Sequence, residues 1–403
     1  MPEGRYRWVV LAAGTFAQAS FSCATIGLPA LAPSLRSHYG LTLGETGVVL
    51  AGLGIGMLFT LLPWGLAADR LDERRVIAAG LLGAAAGLAA AATTGSFAAL
   101  TGALVAAGAL GASVNAASGR AVMGWFPPDE LGLALGIRQT AIPIGGAVGA
   151  GVLPVLASAG GPRLAFFALG GACAVGAVVA AALMRPTPAR VPELGDVGRP
   201  LREPGLWLLA GGTALYLTAQ IGITGFLVLF LHDRRHVSTH AAALLLAAIN
   251  VLAIGARIGA GRLSDRLGTR LRPLRAIGIG LTAATVAVPL LAGGPLALLA
   301  AAFVVAGVLG MAWNGLAFAA AAETAGAART GAALGFQQTM LGILVAAVPP
   351  AFAAVAGVSW RLAFALAAAG PLAGVALLAR VREPRRVRPG RTPGTSATPP
   401  AAR

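Results

Sequence analysis

The chain of 403 residues is 57% hydrophobic and 11% charged, with a mean hydropathy of +0.81. An ordinary soluble domain is excluded, because such domains carry about 25% charged residues. A net charge of +16 would suggest nucleic acid as the partner of a soluble protein, but in a membrane protein the arginines must first be assigned to a side.

Twelve apolar segments are each long enough to cross a membrane as a helix, which takes about 20 residues. They are continuous runs of Ala, Leu, Val and Gly, unlike the short alternating segments of a barrel. We therefore predict an all-α integral membrane protein. The twelve predicted spans are 8–33, 43–66, 76–94, 97–123, 131–157, 163–184, 206–231, 240–261, 273–292, 296–321, 330–356 and 360–379.

The first span carries a row of polar residues, Thr15, Gln18, Ser22 and Thr25, whose spacing places them on one helical face. Such residues either bond to neighbouring helices or line a cavity, because an unpaired polar group facing lipid is costly. We predict that Gln18 and Ser22 line a substrate cavity. Cleavage of this span as a secretory signal is not expected, because eleven further spans follow.

Charged residues then appear at the end of the second span and inside the fourth and fifth. The segment GLAADRLDERR (65–75) holds six charges within seven residues, and Arg120 and Arg138 lie within spans. A long arginine side chain can extend to the membrane interface, so this alternative stays open for both arginines. Arg138 is a candidate for substrate binding.

Residues 185–205 form a linker between segments 1–184 and 206–380, and the basic tail 381–403 is predicted to be disordered. Of the 30 arginines, 22 fall on the side that holds both termini, five on the other side and three inside spans. Basic residues are enriched on the cytoplasmic side of membrane proteins, so we predict a cell-membrane protein with both termini in the cytoplasm.

The seventh span repeats the polar row, with Tyr216 and Gln220 as cavity candidates, and the eighth carries Asn250 and Arg257 on one face. Arg257 lies eight residues before Asp265, about 12 Å along a helix, which brings it toward the membrane midplane. Substrate binding and extension to the interface both stay open for Arg257. No carboxylate falls in the middle of a predicted span, which disfavours a cationic substrate.

The two halves of the chain repeat one another. LAAGT (11–15) returns as LAGGT (209–213), GLAADRL (65–71) as GRLSDRL (261–267), ALGIRQT (134–140) as ALGFQQT (333–339), and RLAF (163–166) as RLAF (361–364). Parallel duplication of a six-helix unit is one way to build a transporter, so we predict two pseudo-symmetric bundles of six helices. Residues that differ between the copies, such as Arg138 and Gln337, are better candidates for substrate contacts than shared residues.

These features resemble the major facilitator superfamily of transporters over about residues 6–380. The family motif between helices 2 and 3 is matched by Gly65, Asp69 and Arg70, and in the second half by Gly261, Asp265 and Arg266. In the first copy Asp72 stands where glycine is usual, whereas Gly268 fits the pattern. Residues 119–140 resemble helix 4 to helix 5 of the bacterial anion and cyanate-type branches.

The resemblance implies a gating role for these two loops. Asp69 and Asp265 would each face the N-terminus of a helix in the other half, where an anion is favoured by about 0.3–1 kcal/mol. Gly65 and Gly261 would serve a tight turn, and the arginines would tie the loops to acids and lipid. The alternative is a solvated, positively charged loop without a gating role.

The leading functional prediction is a secondary transporter that moves a small organic or inorganic anion by rocking two halves around a central site. An exporter of neutral or hydrophobic compounds is the first alternative, and a membrane sensor on a transporter fold is the second.

The sequence has no nucleophile motif, nucleotide-binding loop or metal-ligand spacing, so an enzyme activity, cofactor or metal is not expected. The expected partners are the substrate, the lipid bilayer and a coupling ion if transport is coupled. Nucleic acid is not expected, and the predicted state is a monomer.

Overall fold

The computed structural model describes residues 3–127, 130–187, 203–325 and 330–381, which are helical with short connections. The helices are α1 (Glu3–Thr25), α2 (Ala32–Tyr39), α3 (Leu43–Arg70), α4 (Glu73–Ala91), α5 (Phe97–Trp125), α6 (Leu131–Gln139), α7 (Ala141–Leu183), α8 (Pro204–Ala214), α9 (Tyr216–Arg235), α10 (Thr239–Leu267), α11 (Leu271–Leu291), α12 (Leu296–Ala312), α13 (Asn314–Ala325), α14 (Thr330–Val358) and α15 (Trp360–Ala379). A 3₁₀ helix, Leu28–Leu31, joins α1 to α2. The all-α prediction is confirmed for the described residues; the linker beyond residue 187 and the tail beyond residue 381 lie outside them.

Eleven helical segments of the described chain are long and apolar enough to cross a membrane. The longest covers Leu133–Leu183, 51 residues, which would measure about 76 Å if straight and so exceeds twice the hydrocarbon thickness. It is interrupted at Gly160 (φ −145°, ψ 24°) and Gly161 (φ 68°, ψ −177°), just before Pro162. A positive φ of this kind suits glycine alone, so the helix cannot continue straight through this point.

Side-chain caps start many of the long helices. In α3, Thr42 and Glu45 form a capping box, with Glu45 N–H donating to Thr42 Oγ1 at 3.2 Å and Thr42 N–H donating to Glu45 Oε2 at 2.8 Å. Ser96, Ser238 and Ser359 accept from the first turns of α5, α10 and α15 in the same way. These groups satisfy backbone donors that the helix itself leaves free. Glu45 therefore has a local structural partner at its helix end.

Glycine lets neighbouring helices approach closely, as membrane helices require. A Cβ on Gly27 of the first helical segment would lie 2.8 Å from the Cα of Gly149 on α7. A Cβ on Gly56 of α3 would lie 2.0 Å from the carbonyl oxygen of Val105 on α5. Any larger residue at these positions would force the helices apart.

The connections of the chain define two ends of the molecule. We call the end with residue 3, the connections 71–72 and 268–270, and residue 380 the terminal end, and the opposite end, with connections 40–42 and 236–238, the far end. The first half of the chain is residues 3–187 and the second half is residues 203–381. The halves touch mainly through α3 with α14, α7 with α10, and α2 with α9.

Close packing between the halves is found toward the far end. A Cβ on Gly47 of α3 would lie 2.4 Å from the Cβ of Ala353 on α14, and Arg36 forms an ion pair with Asp233 across the halves. The close approaches of α3 to α14 continue as far as Leu58, beside Gly342. Beyond that point three large apolar side chains of α3 are exposed, namely Phe59, Leu62 and Leu66.

Candidate functional site

Arg138 is buried in the first half, with 7% of its surface exposed. Its side chain extends from α6 to α5, where Nε donates to Ser118 Oγ at 2.9 Å and Nη2 donates to the carbonyl oxygen of Asn115 at 2.9 Å. The same Nη2 lies 3.4 Å from Oε1 of Gln18 on α1. The guanidinium is therefore held inside the bundle by neutral groups and does not extend to an interface.

Gln18 and Ser22 continue this network along α1. Gln18 Nε2 donates to Ser22 Oγ at 3.4 Å, and the Ser22 hydroxyl donates to the carbonyl oxygen of Gln18 at 2.8 Å. Both residues are buried. The predicted polar face of the first span thus points to Arg138 and contacts it through Gln18.

Arg257 of α10 binds one carbonyl from each half of the chain. Its Nε donates to the carbonyl oxygen of Met311 at 2.7 Å, within the second half, and its Nη1 donates to the carbonyl oxygen of Gln139 at 2.9 Å, in the first half. Arg257 therefore joins the halves near the terminal-end side of the membrane region. Its guanidinium, like that of Arg138, points into the protein.

Both carbonyls that bind Arg257 lack a donor from their own helix. In a continuous helix, Gln139 would accept from residue 143, but Pro143 has no N–H, and α6 ends at Gln139. Met311 lies where α12 ends and the chain is interrupted at Trp313 before α13 begins. A buried carbonyl without a donor is unfavourable, so each break offers an acceptor to a nearby guanidinium.

Both arginines are connected to the last turn of α6: Arg138 belongs to this turn, and Arg257 binds the carbonyl of the next residue, Gln139. Neither arginine forms an ion pair with a carboxylate among the described residues. Nη1 of Arg138 and Nη2 of Arg257 have no hydrogen bond within the described chain, yet neither is sealed from solvent. Arg138, which is buried, and Arg257, which is half-buried, are thus cations with free donors, and an anion is the kind of group that satisfies such donors.

The remaining cavity candidates lie in the second half and differ in their surroundings. Tyr216 is buried, its hydroxyl donates to the carbonyl oxygen of Leu274 at 3.1 Å, and its ring packs edge-on against Trp313. Gln220 and Asn250 are also buried, and their side-chain oxygens have no hydrogen-bond partner among the described residues. Tyr216 thus contacts its own half, whereas Gln220 and Asn250 keep unused acceptors.

Asn250 lies at the contact between the halves. A Cβ on Gly146 of α7 would lie 2.4 Å from Oδ1 of Asn250, so only glycine permits this approach of α7 to α10. Asn250 Nδ2 donates to the carbonyl oxygen of Leu246 on its own helix at 2.9 Å. Asn250 and Arg257 therefore lie on one face of α10, and both contact the first half of the chain.

The predicted gating residues lie at the terminal end. Gly65 and Gly261 are inside α3 and α10, and a Cβ at either position would meet nothing within 4 Å, so the expectation that they serve a tight turn is wrong. The turn after α10 is made instead by Gly268, with φ 63°. In the first half, Leu71 is extended and Asp72 caps α4 by accepting from Arg75 N–H.

The acids of the two loops have different positions. The side chain of Asp69 lies outside the described part of the structure, and Arg70 and Arg266 are exposed. Asp265 Oδ1 accepts from Arg270 Nη1 at 2.7 Å, and Arg270 Nε donates to Glu323 Oε1 at 3.1 Å. In this conformation, Asp265 is thus paired within its own half.

A related ion pair in the first half joins Glu73 at the start of α4 to Arg120 on α5, at 3.2 Å. Arg270 and Glu323 make the corresponding contact in the second half with the charges exchanged. Arg120 therefore has a carboxylate partner, which separates it from Arg138 and Arg257. The three arginines inside the predicted spans fall into one paired and two unpaired groups.

The sequence matches the family described as Major Facilitator Superfamily over residues 11–350. The chain belongs to the major facilitator superfamily. It is 32% identical over 390 residues to an uncharacterised MFS-type transporter of Mycobacterium tuberculosis strain CDC 1551, a match that covers 92% of this chain and 84% of that protein. The counterpart from strain H37Rv is 31% identical with the same coverage. The predicted family is confirmed, and the protein is a multi-pass membrane protein among transporters.

Solved structures show the same fold. A bacterial homologue of the human lysosomal transporter Spinster, in an inward-facing and occupied conformation, superimposes with a TM-score of 0.73 and 17% identity, covering 93% of this chain and 95% of that chain. The same homologue in an inward-facing and unoccupied conformation gives a TM-score of 0.71 at 17% identity, with equal coverage. At this identity the likeness concerns the fold of the superfamily and not the substrate.

The sequence did not predict most of the groups that hold the two arginines. Ser118 and the carbonyl of Asn115 hold Arg138, and the carbonyls of Gln139 and Met311 hold Arg257. Pro143 was a usable signal, because a proline in a helix always leaves the carbonyl four residues earlier without a donor. The Asn314–Gly315 pair is a signal for the break at Trp313, but it does not show that the Met311 carbonyl binds an arginine.

Proposed function

We propose that this protein is a secondary transporter of a small organic or inorganic anion, moved by rocking of two six-helix bundles around a central site. The observation that carries the proposal is that neither Arg138 nor Arg257 has a carboxylate partner in the described chain. Arg138 belongs to the last turn of α6, and Arg257 binds the Gln139 carbonyl of that same turn. A buried cation needs compensation, and an anionic substrate supplies it while it is bound. Planar guanidinium groups can also bind a carboxylate through two parallel hydrogen bonds.

Twelve spans follow if the long apolar segment is divided at Gly160 and Gly161, which gives six spans before the linker and six after it. The repeated sequence motifs and the likeness to solved superfamily structures support this division. The bundles would then comprise residues 1–184 and 206–380.

The proposed orientation places the terminal end in the cytoplasm, because 22 of the 30 arginines fall on that side. The far end would then be external and is the end where Arg36 and Asp233 join the halves. This arrangement supports an inward-facing conformation, in line with the inward-facing structures of the Spinster homologue. In the opposite conformation, Asp69 and Asp265, with Arg70 and Arg266, would close the cytoplasmic side.

Reporter fusions test the orientation. Reporters that are active only inside or only outside the cell would be fused after residues 95, 195, 293 and 385. We expect external signal at 95 and 293 and cytoplasmic signal at 195 and 385. A cytoplasmic signal at 95 or 293, or an external signal at 195 or 385, would contradict the proposal.

The proposed substrate site has Arg138 and Arg257 as its cationic groups, with Gln18 and Ser22 as their polar neighbours in the first half. Gln220 and Asn250 lie in the second half, and their unpartnered amide oxygens would accept from a donor group of the substrate, such as a hydroxyl, and not from its anionic oxygens. We assign Tyr216 a supporting position behind these residues, because its hydroxyl is occupied by Leu274.

Ligand-induced thermal stabilisation tests the substrate class. Purified protein would be heated with a panel of organic and inorganic anions, neutral compounds and organic cations, since a ligand at 100 times its dissociation constant adds about 2.7 kcal/mol. We expect stabilisation by an anion, its loss in Arg257→Gln and a partial response in Arg257→Lys. Arg262→Gln is the matched control, because Arg262 lies on the same helix and is exposed. Unchanged stabilisation in both Arg257 variants would favour a neutral-compound exporter.

A further inference from the structure

The hydrogen bond from Arg257 to Gln139 ends on a carbonyl that Pro143 leaves without a donor from its own helix. Pro143 removes the N–H that would otherwise satisfy the Gln139 carbonyl, and Arg257 Nη1 takes its place at 2.9 Å. The repeated position in the second half is Gly342, which keeps its N–H, and α14 runs through it without a break. Nothing in the shared architecture of the halves therefore requires a proline here.

The two hydrogen bonds of Arg257 differ in the half of the chain that they reach. The bond from Nε to Met311 connects α10 to α12 within the second half, so it fixes the guanidinium to that half. The bond from Nη1 to Gln139 crosses to the first half, so it changes when the halves move relative to each other. The crossing bond ends on a neutral carbonyl, which is a weaker partner for a guanidinium than a charged oxygen.

We infer that the Gln139 carbonyl oxygen occupies the position on Arg257 that an oxygen of the substrate anion takes, and that Pro143 is the positioning residue that makes this exchange possible. The inference rests on the proposed anion transport. When the anion binds, Arg257 exchanges a neutral acceptor in the first half for a charged one. The anion then stays with the second half, and one link between the halves is released.

The exchange gives binding a direct effect on the conformation. The crossing bond belongs to the described conformation, so any group that removes it from Arg257 weakens that conformation relative to others. The anion would do this through competition, and Arg257→Gln would do it permanently. Pro143→Ala would do it from the other side, because the new N–H satisfies the Gln139 carbonyl within its own helix.

The test compares these variants by distance measurement between spin labels. Labels would be placed at Arg74 and Arg262, one on each half at the terminal end, both exposed, in a background with Cys23 and Cys173 replaced by alanine. Pro154→Ala is the matched control. It replaces another buried proline of α7, and no side chain among the described residues donates to the carbonyl that Pro154 leaves free.

Without ligand, the measured quantity is the ratio of molecules with widely separated labels to molecules with closely spaced labels. We expect Arg257→Gln and Pro143→Ala each to reduce this ratio by about ten-fold, which corresponds to about 1.4 kcal/mol. The double variant should show no further change, because both substitutions remove the same bond. Pro154→Ala should match the parent. Additive effects of the two substitutions, or equal effects of Pro143→Ala and Pro154→Ala, would overturn the inference.

With ligand, acetate and inorganic phosphate are the probes, with sodium chloride at equal ionic strength as the control. The parent should shift in the same direction with the anion that it binds, and Pro143→Ala should bind that anion about ten-fold more tightly, because the competing carbonyl is satisfied. Acetate alone would indicate a carboxylate substrate, and phosphate alone an inorganic one. If neither anion shifts the parent, the exchange is overturned. If Arg257→Gln loses binding while Pro143→Ala binds like the parent, the exchange is overturned and the proposed function stands.

Discussion

The segments α6–α7 and α14 carry matching sequences, ALGIRQT and ALGFQQT, but differ in two ways. The first copy is interrupted after Gln139 and carries Arg138, whereas the second is a continuous helix with Gln337 at the same place. Arg138 binds three groups, while Gln337 donates only to Thr213, at 3.4 Å, among the residues that the structure describes. Charge and helix break thus occur together in one copy alone.

A second pair of helices also differs by a break, but here the break is in the second half. In the first half, α5 is continuous past Asn115, whereas its counterpart in the second half is divided into α12 and α13 just before Asn314. The free carbonyls of the two breaks, Gln139 and Met311, meet on Arg257, whose own counterpart is Leu61. These departures from the sequence repeat are thus found around one guanidinium. A structural role common to both halves would instead keep the same features in both.

The largest expected effect comes from giving the second copy the charge of the first. Gln337 is fully buried, and Gln337→Arg would place a guanidinium there without the hydroxyl that Ser118 supplies, because the corresponding residue is Ala317. An uncompensated buried charge costs about 3–5 kcal/mol, so we expect a large loss of thermal stability. Thr339→Arg, on the exposed face of α14, is the control. Equal melting temperatures for the two variants would show that the second half also accommodates a cation.

The next effect comes from the reverse change. Arg138→Gln makes the first copy resemble the second, and we expect the anion identified by the thermal-shift panel to bind about 100-fold more weakly, roughly 2.8 kcal/mol. Arg120→Gln is the matched control and should have much less effect, because Arg120 is paired with Glu73. Binding to purified variants is the measurement, with folding checked by thermal unfolding. Equal affinity losses in both variants would mean that Arg138 acts through general electrostatics.

A smaller effect isolates the support of Arg138. Ser118→Ala gives the first half the residue that the second half has at position 317, and it removes the partner of Arg138 Nε. Loss of one hydrogen bond to a charged group should weaken anion binding by about ten-fold, near 1.4 kcal/mol. Ser158→Ala, an exposed hydroxyl on α7, is the control. An unchanged dissociation constant in Ser118→Ala would show that Gln18 and Asn115 hold Arg138 without it.

The fold could be predicted from the sequence because the signals that specify it are local and periodic. Apolar length marks the helices, and repeated motifs at a constant displacement indicate the two halves. Arg138 and Arg257 were found as candidates because a cation inside a span is unusual in any membrane protein. Of their five partners only Gln18 was a candidate, since three of the others are backbone carbonyls, which any residue supplies. Tyr216 shows the opposite failure, because helical spacing alone cannot tell a face toward the other half from a face toward its own.

The smallest expected effect concerns the two loops, where the copies again differ. Asp265 is followed by Gly268, whose positive φ makes the turn, while in the first loop Asp72 replaces that glycine and caps α4. Asp265→Asn and Asp69→Asn keep the side-chain shape and remove the charge, so we expect each variant to slow transport by about two- to five-fold, as loss of about 0.3–1 kcal/mol at a helix end would do. Asp72→Asn is the matched control, because asparagine caps a helix as well as aspartate does. Transport into vesicles is the measurement. Exposed Asp265 also pairs with Arg270, so Arg270→Gln separates the two contacts. Equal slowing by Asp265→Asn and Arg270→Gln would assign the effect to the ion pair within the second half and remove the latch from that loop.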